Sequence, residues 1–172
     1  MTDERPELPI DPDPAAPARG RPVHLRPVFL AAVAAGGLLG APARYLIAEE
    51  LPTPGDGWPT VTFATNLVGA FLLGVLLEGL ARGGPDLGWR RTVRLVAGTG
   101  FCGAVTTYST LAVEADLLVR DARWGLAVGY GAASVLAGLL ATAAGIGLAA
   151  GHDHRRSRRR AASTTGAEVP AP

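Results

Sequence analysis

Lysine is missing from this chain, and all 16 basic side chains are arginine. We read that as composition bias of the genome rather than as mechanism. Cysteine is nearly missing too. Cys102 stands alone, which excludes an intrachain disulfide and a multi-cysteine metal site. The three histidines, His24, His152 and His154, lie in or beside the polar ends, so none is set to activate Cys102 or a serine. Enzymatic readings are poor for that reason. Charge is the scarcest commodity. Of 172 residues only 18% are charged against 48% hydrophobic, and the charges crowd into the two ends. That distribution belongs to a membrane protein rather than a soluble globule. The net charge of +1 implies no acidic partner.

What is present is apolar sequence in lengths that fit a bilayer, where a spanning helix needs roughly 20 residues. Four windows qualify: 27–48, 60–81, 92–119 and 124–150. The first holds one charge, Arg44, and the fourth holds none. Trp58, Trp89 and Trp124 each precede a window, where interfacial aromatics belong. The connections LPTPGDGWP, RGGPDLGWR and RDAR are short and rich in turn formers, so neighbouring helices run antiparallel. The expected fold is an all-α integral membrane domain over residues 27–150. An acidic, proline-rich stretch, 1–26, reads as a disordered tail, and its apolar run begins too late for a cleaved secretory signal. Residues 151–172 read as a second disordered tail, basic in its first half. Its cluster of arginines at 155–160 suits anionic lipid heads rather than nucleic acid.

Small residues recur four apart as Gly36/Gly40, Ala70/Gly74, Gly125/Gly129 and Gly147/Gly151. In lipid such pairs let helices approach closely, either within one subunit or between two. The segment 98–114, GTGFCGAVTTYSTLAVE, has three glycines and then five consecutive hydroxyl side chains from Thr106 to Thr110. These cannot all face lipid. Thr and Tyr also disfavour helix, so a break at 103–107 with freed carbonyls able to hold a cation is one reading. A continuous helix whose hydroxyls bond back to the preceding turn is the other. Asn66 must find a partner within the second window, as helix glue or facing water. Arg44 either snorkels to the interface or influences anions. Glu114 is an exposed helix-end acid or a vestibule group. Tyr130 and Ser134 share a face of the fourth helix and form a polar track or are satisfied between helices.

Three motifs in order, GGLLGAPARY (36–45), TNLVGAFLLG (65–74) and GTGFCGAVTTYSTLAVE (98–114), resemble the Fluc-type fluoride channels, also called CrcB-like fluoride exporters. A weaker match follows in RWGLAVGYGAAS (123–134), and the resemblance covers residues 28–150. It implies four-helix subunits paired in opposite orientations, with two pores and a broken third helix. It also implies a structural Na+, not transported, held by backbone carbonyls at Gly103 and Thr106. Asn66, Ser109, Thr110, Tyr130 and Ser134 would then line the fluoride path, with Arg44 and Glu114 in its vestibule. Two family phenylalanines with electropositive ring edges correspond here to Tyr108 and Leu111. Tyr108 keeps a ring and Leu111 does not, so one of the two ring edges is missing here.

The expected activity is passive exit of cytoplasmic fluoride across the cell membrane. Two other readings stand beside it. A small proton-coupled drug transporter would want an acid deep in a helix, whereas Glu78 and Glu114 lie nearer helix ends. A non-conducting partner subunit is kept open by Leu111. The arginines also predict an orientation. With four spans, both tails and the second loop share a face. That face carries twelve arginines: Arg19, Arg21 and Arg26; Arg82, Arg90, Arg91 and Arg94; and Arg155, Arg156, Arg158, Arg159 and Arg160. The opposite face has Arg120 and Arg123. Positive residues stay inside, which predicts cytoplasmic termini and an oppositely biased paralogue as partner.

Overall fold

A computed structural model of the chain describes residues 26–51 and 57–165, and every regular element among them is a helix. The tail expected over 1–26 lies outside the described residues except for Arg26. Helix α1 (Pro27–Glu50) opens on Pro27, whose missing N–H and fixed φ suit a first turn. Pro42, inside α1, removes one internal hydrogen bond. Helix α2 (Thr60–Arg82) follows Trp58 and Pro59. A tight turn with Gly84 (φ 123°) and Gly88 (φ 54°) then leads into α3 (Trp89–Val93). From α3 the chain winds directly into a π-helical segment (Arg94–Cys102) and α4 (Gly103–Val105). Thr106 and Thr107 are extended (ψ 152° and 123°) before α5 (Tyr108–Arg120) begins. Helix α6 spans Trp124–Thr165.

Three of these helices are long and apolar enough to cross a membrane: Pro27–Glu50, Thr60–Arg82 and Trp124–His152. The window at 92–119, third in chain order, is a composite. Its winding changes from α to π and back, and it leaves the helix at Thr106. Its longest piece is α5, with 13 residues. At 1.5 Å per residue that piece is about 20 Å long, short of a hydrocarbon core of roughly 30 Å. A second difference concerns α6, which runs on to Thr165 rather than ending at 150. Arginine and alanine fill 155–162 apart from Ser157, and both are strong helix formers, so the backbone has no local reason to stop earlier. Residues 166–172 lie outside the described residues.

The helices pack as two pairs, α2 along α6, and α1 along the π-helical segment and α4. Glycine makes both seams close. Gly36 and Gly40 are buried. A Cβ on Gly36 would run into the Val96 carbonyl, and one on Gly40 would stand 2.5 Å from the Phe101 carbonyl. Across the other seam, a Cβ on Gly74 would stand 2.5 Å from the Thr142 carbonyl. These small residues therefore serve contacts within the chain. Gly125, Gly129, Gly147 and Gly151 behave differently, because a Cβ on any of them meets nothing within 4 Å. The buried apolar interior among the described residues is small: Cys102, Val105, Leu118, Ala127 and Tyr130. Large side chains such as Leu38, Leu136 and Leu140 are exposed instead, as a lipid solvent allows. At one end, Asp86 ties the α2–α3 turn to the π-helical segment, accepting from Arg94 at 2.8 Å and Arg91 at 3.4 Å. The Arg94 hydrogen bond holds that carboxyl below its ordinary value.

Candidate functional site

Where a helix stops, its amides and carbonyls lose their partners. In an unbroken helix the Thr107 N–H would donate to the Gly103 carbonyl, and the Thr110 N–H to the Thr106 carbonyl. Here the Thr107 N–H donates to Asn66 Oδ1 at 2.8 Å, and the Thr110 N–H donates to Thr107 Oγ1 at 3.1 Å. The carbonyls of Gly103 and Thr106 are released from those bonds. Asn66 Nδ2 also donates to the Thr107 carbonyl at 3.0 Å, so one carboxamide serves both main-chain groups of Thr107. Asn66 is the chain's only side-chain carboxamide. Three residues on, the bare Cα of Gly69 makes room for the Thr106 methyl, which any Cβ there would overlap. The N-x-x-G of TNLVG therefore works as a clip on the interrupted segment.

Hydroxyls continue the network. Thr107 Oγ1 pairs with Ser109 Oγ at 3.1 Å and donates to Thr110 Oγ1 at 3.1 Å, capping α5. The O–H of Thr110 is left for another acceptor. A cavity of about 200 Å³ adjoins these groups, lined by Arg44 and Tyr45 of α1, Thr62 and Thr65 of α2, and Thr107 and Thr110. It combines one guanidinium with several hydroxyls. Beside the interruption a more open hollow of about 220 Å³ lies between Asn66, Thr106, Thr107, Tyr108 and Leu111. Glu114 joins three helices: its Oε1 accepts from Thr62 Oγ1 at 2.7 Å and its Oε2 from the Tyr130 hydroxyl at 2.7 Å.

The family described as CrcB-like protein, Camphor Resistance (CrcB), matches residues 31–146, which hold every group named in this site. The chain belongs to that family. It is 50% identical over 115 residues to "Fluoride-specific ion channel FluC 1" of Cutibacterium acnes, covering 67% of this chain and 80% of that one. It is 46% identical over 135 residues to "Fluoride-specific ion channel FluC 2" of Leifsonia xyli subsp. xyli, covering 78% and 92%. With "Fluoride-specific ion channel FluC 3" of Streptomyces avermitilis it shares 42% over 143 residues, covering 83% and 68%. These relatives are named as ion channels, not enzymes. With three apolar spans, this CrcB-like chain is a multi-pass membrane protein.

Within this CrcB-like chain the tertiary fold gathers Arg44, Asn66, Gly103, Thr106, Ser109, Thr110 and Glu114 around the interruption and its cavities. Tyr130 is fully buried, its ring set edge-on to Trp58 at 5.4 Å and its hydroxyl given to Glu114. Ser134, one turn further along α6, has a buried Oγ with no hydrogen-bond partner among the described residues. Tyr108 and Leu111 line the open hollow beside the interruption rather than the Arg44 cavity. Tyr108 is 82% exposed. Leu111 is half-buried, packed toward the cluster of Leu118, Ala127 and Tyr130. Thr62 enters the site without having been marked by any motif reading, and Gly69, within the motif at 65–74, had no role assigned to it. Their signal is helical spacing, since Thr62, Asn66 and Gly69 fall at i, i+4 and i+7 on one face of α2.

Proposed function

We propose that the chain forms a fluoride-specific channel that lets cytoplasmic fluoride leave passively and so limits its toxicity. The observation that carries this reading is the hydroxyl network at Thr107, Ser109 and Thr110 beside the Arg44 cavity. Fluoride is small and strongly hydrated, so a path for it must replace water with donors. Thr110 and the second Nδ2 hydrogen of Asn66 are such donors, Ser109 becomes one by turning its proton away from Thr107 Oγ1, and Arg44 supplies a favourable field. Tyr130 and Ser134 extend the path along α6. Tyr130 joins it by turning its proton from Glu114 to the anion. The relatives' names support the same anion. A negative-inside potential then drives the exit at about 2.3 kcal/mol per 100 mV. The drug-transporter reading loses ground here, because both Glu114 oxygens already accept hydrogen bonds.

The composite segment at 92–119 is the third crossing in this reading, its interruption tolerated because Asn66 and Thr107 satisfy the exposed backbone. The functional unit is two subunits in opposite orientations. The exposed Tyr108 ring and the open glycines of α6 are surfaces that a second subunit would cover. A structural Na+ fits the residues present. The Gly103 and Thr106 carbonyls are the two whose helical donors are taken by Asn66 and Thr107, and carbonyl oxygens of unwound helix suit Na+. When bound, the ion would join the two subunits and would not be transported.

Purified chain in proteoliposomes tests the channel. Fluoride efflux that needs a potassium ionophore for charge balance, with no matching chloride efflux, is the expected result. Silence from this chain alone but flux with a paralogue would identify a partner subunit. Proton-coupled uptake of an organic cation without fluoride efflux would overturn the reading.

A further inference from the structure

Between α2 and α6 lies a groove of about 540 Å³ that the fluoride path does not use. It opens near Arg82, sixteen residues along α2 from Asn66, or about 24 Å at 1.5 Å per residue. Its walls are apolar, from Val75 and Gly79 on α2 and Leu148 and Ala149 on α6, and its mouth carries Arg82 and His152. A second hollow of about 250 Å³ adjoins it and shares Leu148 and His152. Arg82 is the last residue of α2, and His152 lies just past the apolar run at 124–150. The groove thus descends from headgroup depth into the hydrocarbon. Arg82 gives its Nε to Glu78 at 2.6 Å, which holds the guanidinium at the mouth. Beyond His152 the α6 helix continues with Arg155, Arg156, Arg158, Arg159 and Arg160 in its sequence.

We propose that this groove binds one phospholipid with an anionic headgroup. An acyl chain lies against Val75, Gly79 and Leu148, and the phosphate meets Arg82 and His152. Arginine matches a phosphate in shape as well as charge, and basic pockets between spanning helices select anionic lipids. The proposal does not depend on what the channel conducts.

Lipid retention tests it without any flux measurement. Full-length chain is reconstituted in equal parts phosphatidylcholine and phosphatidylglycerol, re-extracted in mild detergent, and its co-purifying lipids are counted by mass spectrometry. Wild type should be enriched in phosphatidylglycerol. Gly79→Leu should abolish the enrichment, and its side chain has room, because a Cβ at Gly79 meets nothing within 4 Å. Arg82→Ala and His152→Ala should each lower it, by roughly fivefold for the arginine. Circular dichroism and oligomeric state should stay unchanged in all three. Equal phosphatidylglycerol retention by wild type and Gly79→Leu would overturn the proposal. So would a change of oligomeric state in Gly79→Leu with retention intact, which would give the groove to a second copy of the chain.

Discussion

The carboxamide of Asn66 spends its oxygen and one of its two N–H donors on Thr107, which presents one donor and one acceptor along its main chain. Their two bonds, at 3.0 and 2.8 Å, leave neither backbone group bare at membrane depth. Replacing Asn66 by leucine removes both, and each unpaired buried group costs about 1–3 kcal/mol. Asn66→Leu should therefore abolish fluoride efflux and also lower the melting temperature in detergent. Asn66→Asp, which keeps an acceptor for the Thr107 N–H but sets an oxygen against its carbonyl, should fall between. A leucine variant with full efflux would remove Asn66 from the path and from the clip together. At Thr106 the argument concerns backbone. Thr106→Ser keeps the hydroxyl bond to the Cys102 carbonyl (2.8 Å) and loses only the methyl over Gly69, so efflux and stability should change little. Thr106→Pro loses the N–H bond to the same carbonyl (3.0 Å) and should be severe. If the Gly103 and Thr106 carbonyls hold Na+, rigorous removal of sodium should lower the melting temperature and the efflux of wild type. Full flux without sodium or a substitute cation would sink the ion site.

Helix seams obey a different rule from side-chain chemistry, because what matters there is how near two backbones come. Gly36 faces Val96, Phe101 and Gly100 of the π-helical segment, with the Phe101 nitrogen 2.8 Å from where a Cβ would sit. Gly36→Ala should accordingly lose about 1–3 kcal/mol through overpacking, read as a lower melting temperature. Gly129, on α6, has open space, so Gly129→Ala should leave the stability of a single subunit unchanged. If that face meets a second subunit, the same change should weaken association, measured as a shift from dimer to monomer on dilution in membranes. An unchanged association would move the interface elsewhere on the subunit.

Orientation belongs to the whole molecule, since it depends on all the loops at once. The twelve-to-two arginine bias predicts that the chain inserts mainly one way, with both termini in the cytoplasm. Cys102 is buried, so single cysteines introduced as Thr2→Cys or Ser163→Cys would label over a low background. Labelling from one side only, together with efflux that needs an oppositely biased paralogue, is the expected pair of results. Equal labelling from both sides with robust efflux from this chain alone would show that a dual-topology homodimer suffices.

Hydrophobicity is a local property, and the sequence by itself therefore determined what depends on local runs. The apolar windows at 27–48, 60–81 and 124–150 correspond to three long helices, and the motifs at 36–45, 65–74 and 98–114 identify the family. The weak helix formers after Gly103 also mark where the backbone turns extended, at Thr106 and Thr107. Only the tertiary structure decided what Asn66 does, because its partner lies 41 positions away and the choice between helix glue, pore lining and clip depends on which faces meet. Thr62 is unremarkable in sequence for the same reason, and the motif that contains Gly69 does not say what the glycine is for. The first gains meaning when Glu114 comes within 2.7 Å, and the second when the Thr106 methyl needs its space. The π-winding of Arg94–Cys102 and the glycine contacts of α1 belong together in the folded chain. A close seam needs two backbones to fit each other, and that fit is a property of neither segment alone.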